Sequence, residues 1–153
     1  MAGKKKFVDL KAAGNRHAYA AVLKKIQKDN VCPFCPKNFK YHTRPIIKKG
    51  KFWLLTENMN PYKGARYHYL FVHIKHIETP QEISPAAWNE LRKYLTWVIT
   101  HRKIPGGGFF MRFGDTRYTG ASVAHLHAQI ITGVKRSKNT FSIPAVVGFG
   151  RKK

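Results

Sequence analysis

Two histidines and a glutamine alternate along an apolar stretch, Val123 to Ile131, with the sequence VAHLHAQII. Successive side chains of a β-strand point to opposite faces of the sheet. As a strand, this stretch would project His125, His127 and Gln129 from one face and alanine, leucine and isoleucine side chains from the other. Three polar groups at period two indicate a strand that borders a functional site. A pair of solvent-facing histidines and a two-histidine metal strand are the alternatives.

The two cysteines of the chain, Cys32 and Cys35, form a Cys-x-x-Cys pair. Such a knuckle can aim both thiolates at one tetrahedral zinc ion, at about 2.3 Å. A redox pair or two buried thiols are alternatives, but the proline after each cysteine suits a rigid metal knuckle better. Two nitrogen ligands are still needed, and spacing alone offers His125 plus any one of three histidines: His68, His73 and His76. A zinc ion with four protein ligands would be closed and structural.

If His125 holds the metal, His127 is free to act as a nucleophile. Imidazole is neutral and nucleophilic near physiological pH, and a phosphorylated ring nitrogen is a good leaving group in a second step. Attack on a phosphate also needs donors that face its oxygens. Gln129, Ser122 and the backbone amides of residues 120–122 are candidates for that role.

The elements that must position these residues follow from periodicity. Residues 15–29 predict an amphipathic helix, and Ser84 followed by Pro85 predicts the start of a second helix. The expected buried stripe of that second helix has five members: Trp88, Leu91, Leu95, Val98 and Ile99. Residues 46–56 predict a hairpin, and three further strands are expected at residues 67–74, 109–113 and 123–132. Because regular βαβ alternation is missing, the pattern favours an α+β domain with a mainly antiparallel sheet.

The chain has 153 residues and a formal net charge of +22, from 29 Lys and Arg against 7 Asp and Glu. We divide it into a basic N-terminal extension at residues 1–11, a domain at 12–132 and a basic C-terminal tail at 133–153. The extension and the tail account for +3 and +6, so the folded body must carry the remaining +13. An excess of this size indicates a polyanionic partner, either nucleotides or nucleic acid. With no apolar leader and no membrane-length apolar run, we expect a cytoplasmic protein without a membrane partner.

Four motifs in order resemble the histidine triad (HIT) superfamily: CPFC at 32–35, NMNPY at 58–62, HYLFVHIKHI at 68–77 and GASVAHLHAQII at 120–131. The resemblance implies a helix-and-sheet domain with five antiparallel strands, usually homodimeric, that binds a nucleoside monophosphate moiety and cleaves its α-phosphate linkage. It places zinc on Cys32, Cys35, His76 and His125. It also makes His127 the nucleophile that forms a nucleotidyl-histidine intermediate, Ser122 a phosphate contact and Asn58 the residue that holds the ribose hydroxyls.

Gln129 departs from the pattern of HIT hydrolases, which carry histidine there. The HxHxQ form is similar to galactose-1-phosphate uridylyltransferases and dinucleoside tetraphosphate phosphorylases, in which a phosphate acceptor takes the intermediate. Glutamine can hold a phosphoryl oxygen but does not titrate near neutral pH, so it suits orientation better than proton transfer. The resulting hypothesis is a nucleotide hydrolase or nucleotidylyltransferase acting on a conjugate such as a diadenosine polyphosphate. The alternative is a HIT-like protein that binds nucleic acid or ribonucleoprotein, or acts on adenylated or capped nucleic-acid ends.

Overall fold

The computed structural model describes residues 6–13, 16–144 and 149–150. Its strands are β1 Ile46–Lys49, β2 Trp53–Glu57, β3 Tyr67–His73, β4 Gly108–Arg112 and β5 His127–Thr132. They form one sheet in the order β1-β2-β3-β5-β4, and every neighbouring pair is antiparallel. The prediction of an α+β fold with about five antiparallel strands and two main helices is confirmed.

The two main helices are α1 His17–Asp29 and α2 Pro85–His101, and a single turn, α3 Thr116–Thr119, follows β4. Three short 3-10 helices complete the regular structure: Leu10–Ala13, Pro36–Tyr41 and Pro80–Glu82. Helix α2 begins where the sequence predicts, because the Ser84 hydroxyl accepts a hydrogen bond from the Ala87 N–H at 3.2 Å. This bond satisfies one of the N–H groups that a helix start leaves unpaired.

The buried stripe of α2 is narrower than predicted. Three of its expected members pack inside: Leu91, Leu95 and Val98. Trp88 and Ile99 remain 42% and 39% exposed, so the prediction is wrong for these two. Ala87 is fully buried instead, and its carbonyl accepts a hydrogen bond from the Trp53 indole N–H at 2.8 Å. A small residue there lets the helix backbone approach the sheet, and this approach turns the neighbouring Trp88 outward.

The two faces of the sheet have different tasks. On the α2 side, the central strands bury an apolar set that packs beneath the helix: Tyr69, Phe71, Ala128 and Ile130. On the opposite face the same strands carry a mixed set, because strand side chains alternate. In the register of β3 and β5, Leu70 lies opposite Gln129 and Val72 lies opposite His127. The polar side chains of β5 therefore stand on the face that α2 leaves open.

Strand β5 begins at His127, not at Val123 as predicted. Before His127 the chain forms single pairings with other segments: Val123 bridges Val8, and the Leu126 N–H donates to the Ile77 carbonyl at 2.7 Å. His125 consequently lies in a bend ahead of the strand, and the predicted alternation holds only for His127 and Gln129. This bend lets His125 face a different site from His127.

The N-terminal segment packs against the domain, since Val8 is 4% exposed and belongs to a core cluster with α1 residues. Several cations assigned to the predicted tails lie outside the described residues: Lys4, Lys5, Arg151, Lys152 and Lys153. The domain limits at residues 11 and 132 stay a prediction. Within the described ranges, no helix is long and apolar enough to cross a membrane.

Candidate functional site

The CPFC knuckle and two histidines form a compact cluster at one end of the sheet. The ligand atoms of four residues all lie within 4.8 Å of one another: Cys32, Cys35, His76 and His125. The Nδ1 atom of His125 is 3.2 Å from Cys32 Sγ and 3.1 Å from the Nδ1 atom of His76. Cys35 Sγ is 3.5 Å from His76 Nδ1. Of the three histidines that spacing left open, the structure brings His76 to the cysteines.

Hydrogen bonds on the outer side of the cluster fix both imidazole rings. His125 Nε2 is 2.6 Å from the His73 carbonyl, which can only accept, so Nε2 carries the proton and Nδ1 presents its lone pair. His76 Nε2 donates in the same way to Glu78 Oε1 at 3.2 Å. Such outer partners orient histidine ligands in metal sites.

The residues present fit a tetrahedral metal ion. Zinc held by nitrogen and sulfur at 2.1–2.3 Å would place its ligand atoms about 3.4–3.8 Å apart, close to the spacing observed. Burial, with a smaller contribution from the neighbouring Cys35, raises the pKa of the Cys32 thiol to about 12. A pair of adjacent thiolates, one of them buried, is thus unfavourable unless a cation neutralises it. The four residues can therefore form a metal site.

His127 stands two residues further on and is bound differently. Its Nδ1 atom lies 2.8 Å from the carbonyl oxygen of His125, so Nδ1 carries the proton and Nε2 keeps its lone pair. The residue is 7% exposed, and the Phe34 ring contacts the imidazole edge-on at 5.1 Å. Burial, opposed by the bond to His125 and assisted by the nearby Arg112, lowers the pKa of His127 to about 4. The imidazole is therefore neutral at physiological pH.

Gln129 is held by a chain of contacts that leads back to Tyr62. The Tyr62 N–H donates to His68 Nδ1 at 3.2 Å, which leaves the proton on Nε2. His68 Nε2 then donates to Gln129 Oε1 at 2.6 Å, and the Asn58 Nδ2 atom lies 3.0 Å from the same nitrogen. The Tyr62 ring also stacks on His68, with ring centroids 5.1 Å apart. Since the Gln129 oxygen is occupied by His68, its amide NH2 is the end left to serve a ligand.

Asn58 and Ser122 lie in the same pocket as His127 and Gln129. Asn58 Oδ1 accepts from the Asn60 N–H at 2.8 Å, and Ser122 Oγ is 2.5 Å from the Tyr19 hydroxyl. The predicted amide donors of the loop are less available than the sequence suggested. The Gly120 N–H donates to the Thr116 carbonyl at 3.0 Å and the Ala121 N–H to Thr119 Oγ1 at 3.2 Å, so the prediction is wrong for these two amides.

The pocket has a volume of about 750 Å³ and is strongly basic. One acid, Asp9, lines it together with five cations: Lys11, Arg16, Lys63, Arg112 and Arg117. Volumes of about 300–1,000 Å³ are usual for sites that bind small molecules. The pocket thus combines a neutral imidazole, oriented amide and hydroxyl groups, and a positive lining.

A family model described as "Protein similar to CwfJ C-terminal" matches residues 21–143. The chain belongs to this CwfJ C-terminal family. Its fold is that of histidine triad proteins, and the solved structures that it resembles include three from bacteria. No curated protein matches the sequence.

A HIT family hydrolase from Clostridium thermocellum is 22% identical with a TM-score of 0.55, over 72% of this chain and 96% of that one. A histidine triad protein from Clostridium difficile is 21% identical with a TM-score of 0.54, over 71% and 96%. A Zn-bound histidine triad family protein from Mycobacterium smegmatis is 15% identical with a TM-score of 0.54, over 76% and 85%. At these identities the likeness shows the fold.

The pocket residues of this CwfJ C-terminal domain that its sequence did not assign to a site include Arg16, His42 and Arg112. Arg112 lies directly opposite His127 in the register of β4 and β5, so the pairing of these strands was the signal that could have found it. His42 had no ligand spacing to mark it. Its Nε2 atom lies 2.8 Å from Thr56 Oγ1, and its ring packs beside Phe39.

Proposed function

We propose that the protein is a nucleotide-binding hydrolase or nucleotidylyltransferase that cleaves the α-phosphate linkage of a nucleotide conjugate. The observation that carries the proposal is the state of His127: a buried, neutral imidazole with Nδ1–H bound to a backbone carbonyl and a lone pair on Nε2. A diadenosine polyphosphate is the conjugate that we favour. The HIT family hydrolase among the similar structures agrees with this class of activity.

In the first step, Nε2 of His127 attacks the α-phosphorus, a P–N bond forms, and the P–O bond to the leaving group breaks. The leaving group departs as a phosphate anion with the electron pair of that bond. Positive charge then develops on the imidazole, and the His125 carbonyl stabilises it through the Nδ1–H. In the second step, an oxygen of water or inorganic phosphate attacks the same phosphorus, the P–N bond breaks, and its electron pair returns to Nε2. With water as the acceptor, one proton passes to the solvent.

The other pocket residues orient the phosphate and the ribose. Gln129 donates its amide NH2 to a non-bridging oxygen, because His68 holds its carbonyl end. Ser122 donates a hydroxyl from the loop before the strand, supported by Tyr19. Asn58 binds the ribose hydroxyls from the β2–β3 connection. Because glutamine does not titrate, Gln129 positions the intermediate and does not move a proton.

We propose zinc as the metal held by Cys32, Cys35, His76 and His125, since two thiolates and two imidazoles are a donor set typical of that ion. Four protein ligands make the site closed. Zinc there supplies structural rigidity, tying the knuckle to the segment that carries His125.

The test is an assay of the metal-loaded wild-type protein with diadenosine tetraphosphate, with and without inorganic phosphate, and product identification by mass spectrometry. AMP without phosphate indicates a hydrolase, and ADP that appears only with phosphate indicates a transferase. His127→Ala must abolish either product. His101→Ala, a matched control on the exposed end of α2, must retain it. Wild-type-like turnover by His127→Ala contradicts the proposal.

A second candidate function, nucleic-acid binding, is favoured by the charge of +22 and the match to the CwfJ C-terminal family. A mononucleotide enzyme does not need such an excess. Electrostatic binding predicts an affinity that falls linearly on a log–log plot against salt, by roughly one slope unit per phosphate contacted. Titration of a labelled single-stranded RNA at several salt concentrations measures this slope. Absence of binding at low salt would remove the candidate.

We also propose a homodimer. Strand β4 lies at one edge of the sheet, and Phe109 on it is 40% exposed. An unpaired edge with exposed aromatic surface suits pairing with a second copy. Sedimentation velocity at several concentrations tests this proposal, and a monomer throughout contradicts it.

A further inference from the structure

The lining of the pocket around His127 includes two chemically different sets of side chains. One set is aromatic or apolar and is shared with a small apolar cleft: Tyr19, Phe34, His42 and Met59. This set suits a nucleoside base. The other set comes from the N-terminal segment and has no part in the function proposed above: Asp9, Lys11, Ala12, Ala13 and Arg16.

Backbone hydrogen bonds place the N-terminal segment directly beside the loop that contains Ser122. The Asp9 N–H donates to the Ser122 carbonyl at 3.0 Å, and the Ala124 N–H donates to the Phe7 carbonyl at 2.8 Å. Val8 is buried between these two bonds and bridges Val123. Directly after Asp9, which is bonded to Ser122, the N-terminal segment enters the 3-10 helix Leu10–Ala13. The cations of this segment therefore lie close to Ser122, the proposed contact of the α-phosphate.

Two of these cations carry charge that no carboxylate offsets in the hydrogen bonds and ion pairs of the described residues. The Arg16 guanidinium is held by the carbonyls of Ala12 and Ala13, at 2.7 and 3.0 Å, which fix its position without neutralising it. Asp9 Oδ1 accepts from the backbone N–H of Lys11, and Lys11 is an exposed residue of the pocket lining. Arg117 differs, because Asp115 pairs with it.

We propose that Lys11 and Arg16 form a subsite for the leaving group, and that this group is an anionic run of phosphates beyond the α-phosphate. This inference rests on the proposed function, since it takes His127 as the point of attack. It adds the substrate class: conjugates with a phosphate-rich leaving group are favoured over those with a neutral one. A leaving group of this kind occurs in a dinucleoside polyphosphate and in a 5′-adenylated nucleic acid, whose leaving group is the 5′-phosphate end of the strand.

The binding test compares ATP with AMP by isothermal titration calorimetry at fixed ionic strength, on the full metal-loaded chain carrying His127→Asn to prevent turnover. Lys11→Gln and Arg16→Gln should each weaken ATP binding by about two- to fivefold, as for exposed charge pairs, with AMP binding unchanged. Lys24→Gln removes the same charge from the exposed side of α1 and should change neither affinity. Asp9→Asn should strengthen ATP binding, because it removes the one acid of the lining.

Arg16→Lys separates the charge of Arg16 from its bonds to the two carbonyls, and it should retain ATP binding. The proposal is overturned if Lys11→Gln leaves the ratio of ATP to AMP affinity at its starting value. It is also overturned if Lys11→Gln and Lys24→Gln lower that ratio equally. Because the ratio of ATP to AMP affinity is measured without turnover, it tests the subsite independently of the proposed function. A wild-type protein without activity would refute catalysis, whereas the subsite would still be tested by the affinity ratio.

Kinetic arms identify the source of the phosphates. With His127 present, the Lys11→Gln variant is assayed on diadenosine tetraphosphate and on a 5′-adenylated oligonucleotide. A loss of kcat/KM confined to the first supports a small polyphosphate, and a loss confined to the second supports a nucleic-acid end. An equal kcat/KM to wild type on both substrates overturns the subsite.

Discussion

His125 and His127 are two residues apart, yet the structure anchors them by opposite ring nitrogens. His125 donates from Nε2 to the His73 carbonyl and turns Nδ1 towards the cysteines. His127 donates from Nδ1 to the His125 carbonyl and leaves Nε2 for the pocket. One histidine thus faces the cluster of cysteines and histidines that could hold a metal, and the other lines the basic pocket.

The difference shows that a hydrogen bond to a backbone carbonyl can fix the tautomer of a histidine and thereby decide which ring nitrogen can bind a ligand. A neutral imidazole has one donor and one acceptor, so binding the proton at one nitrogen frees the lone pair of the other. Burial strengthens the assignment, since it lowers the pKa of His125 to about 3 and of His127 to about 4 and keeps both rings neutral.

The largest expected effect comes from removing Nε2 of His127 alone. In His127→Asn the side-chain amide can replace Nδ1–H at the His125 carbonyl, but no nucleophilic nitrogen reaches the pocket. Turnover should fall on the order of 10³-fold or more, as for other catalytic nucleophiles, with metal content unchanged. Steady-state kinetics and metal analysis measure the two quantities, and loss of metal in this variant would break the comparison.

The reciprocal change is His125→Gln, in which the amide can keep the Nε2–H bond to His73 while the Nδ1 ligand is lost. Metal should be lost or weakly held, and stability should fall by several kcal/mol because metal binding is coupled to folding. A loss of about 5 kcal/mol lowers Tm by roughly 10–20 °C in a chain of this size. Calorimetry with and without a chelator checks this, and a chelator that lowers the Tm of His125→Gln as much as that of wild type would contradict it.

Much of the fold was accessible from periodicity. The hairpin, the start of α2 and the succession of strands along the chain were predicted because each depends on local sequence: a turn, a cap and an alternating pattern. The outward position of Trp88 was not predicted. Ala87 and Trp88 are both apolar, and only the packing of the helix against Trp53 decides which of them faces the sheet.

The sequence predicted which residues form the site better than it predicted where they lie. Spacing could not choose among three histidines, because His68 and His73 lie on β3 whereas His76 follows its end, where the chain bends towards the cysteines. The start of β5 could not be read either, since residues 123–126 continue the apolar alternation but pair with residues from the N-terminal segment and the β3 end. The roles assigned to His127, Asn58, Ser122 and Gln129 stay predictions.

Glu78 extends the comparison to the third imidazole, His76. Glu78→Gln keeps an oxygen acceptor for His76 Nε2–H but removes the negative charge behind the ring. Metal affinity should fall about tenfold, the lower end of the effect usual for such outer partners. Competition with a chromogenic chelator measures it, and Glu57→Gln, a matched change beside Arg102, should leave the affinity unchanged. Equal affinities in the two variants would show that the carboxylate does not support the ring.

The smallest effect tests the same rule at His68, where a backbone N–H fixes the tautomer. His68→Phe keeps a ring to stack on Tyr62 but gives Gln129 no donor, whereas His68→Gln restores an N–H near the Nε2 position. His68→Phe also removes the acceptor of the Tyr62 N–H, but we expect kcat to report the bond to Gln129. One buried hydrogen bond is worth about 1 kcal/mol, so kcat should fall roughly five- to tenfold in His68→Phe and recover in His68→Gln. KM should change less, because the bond orients an amide and does not itself hold substrate.

A double-mutant cycle then separates orientation from packing. If His68 acts through Gln129, adding His68→Phe to Gln129→Leu should lower kcat no further, because the amide to be oriented is already gone. Long-range ¹⁵N NMR gives a readout that does not need turnover, since wild type should show His68 protonated at Nε2 and bare at Nδ1. If the losses in kcat are additive, or if the His68 proton lies on Nδ1, the relation between a backbone hydrogen bond and the histidine tautomer would hold only for His125 and His127.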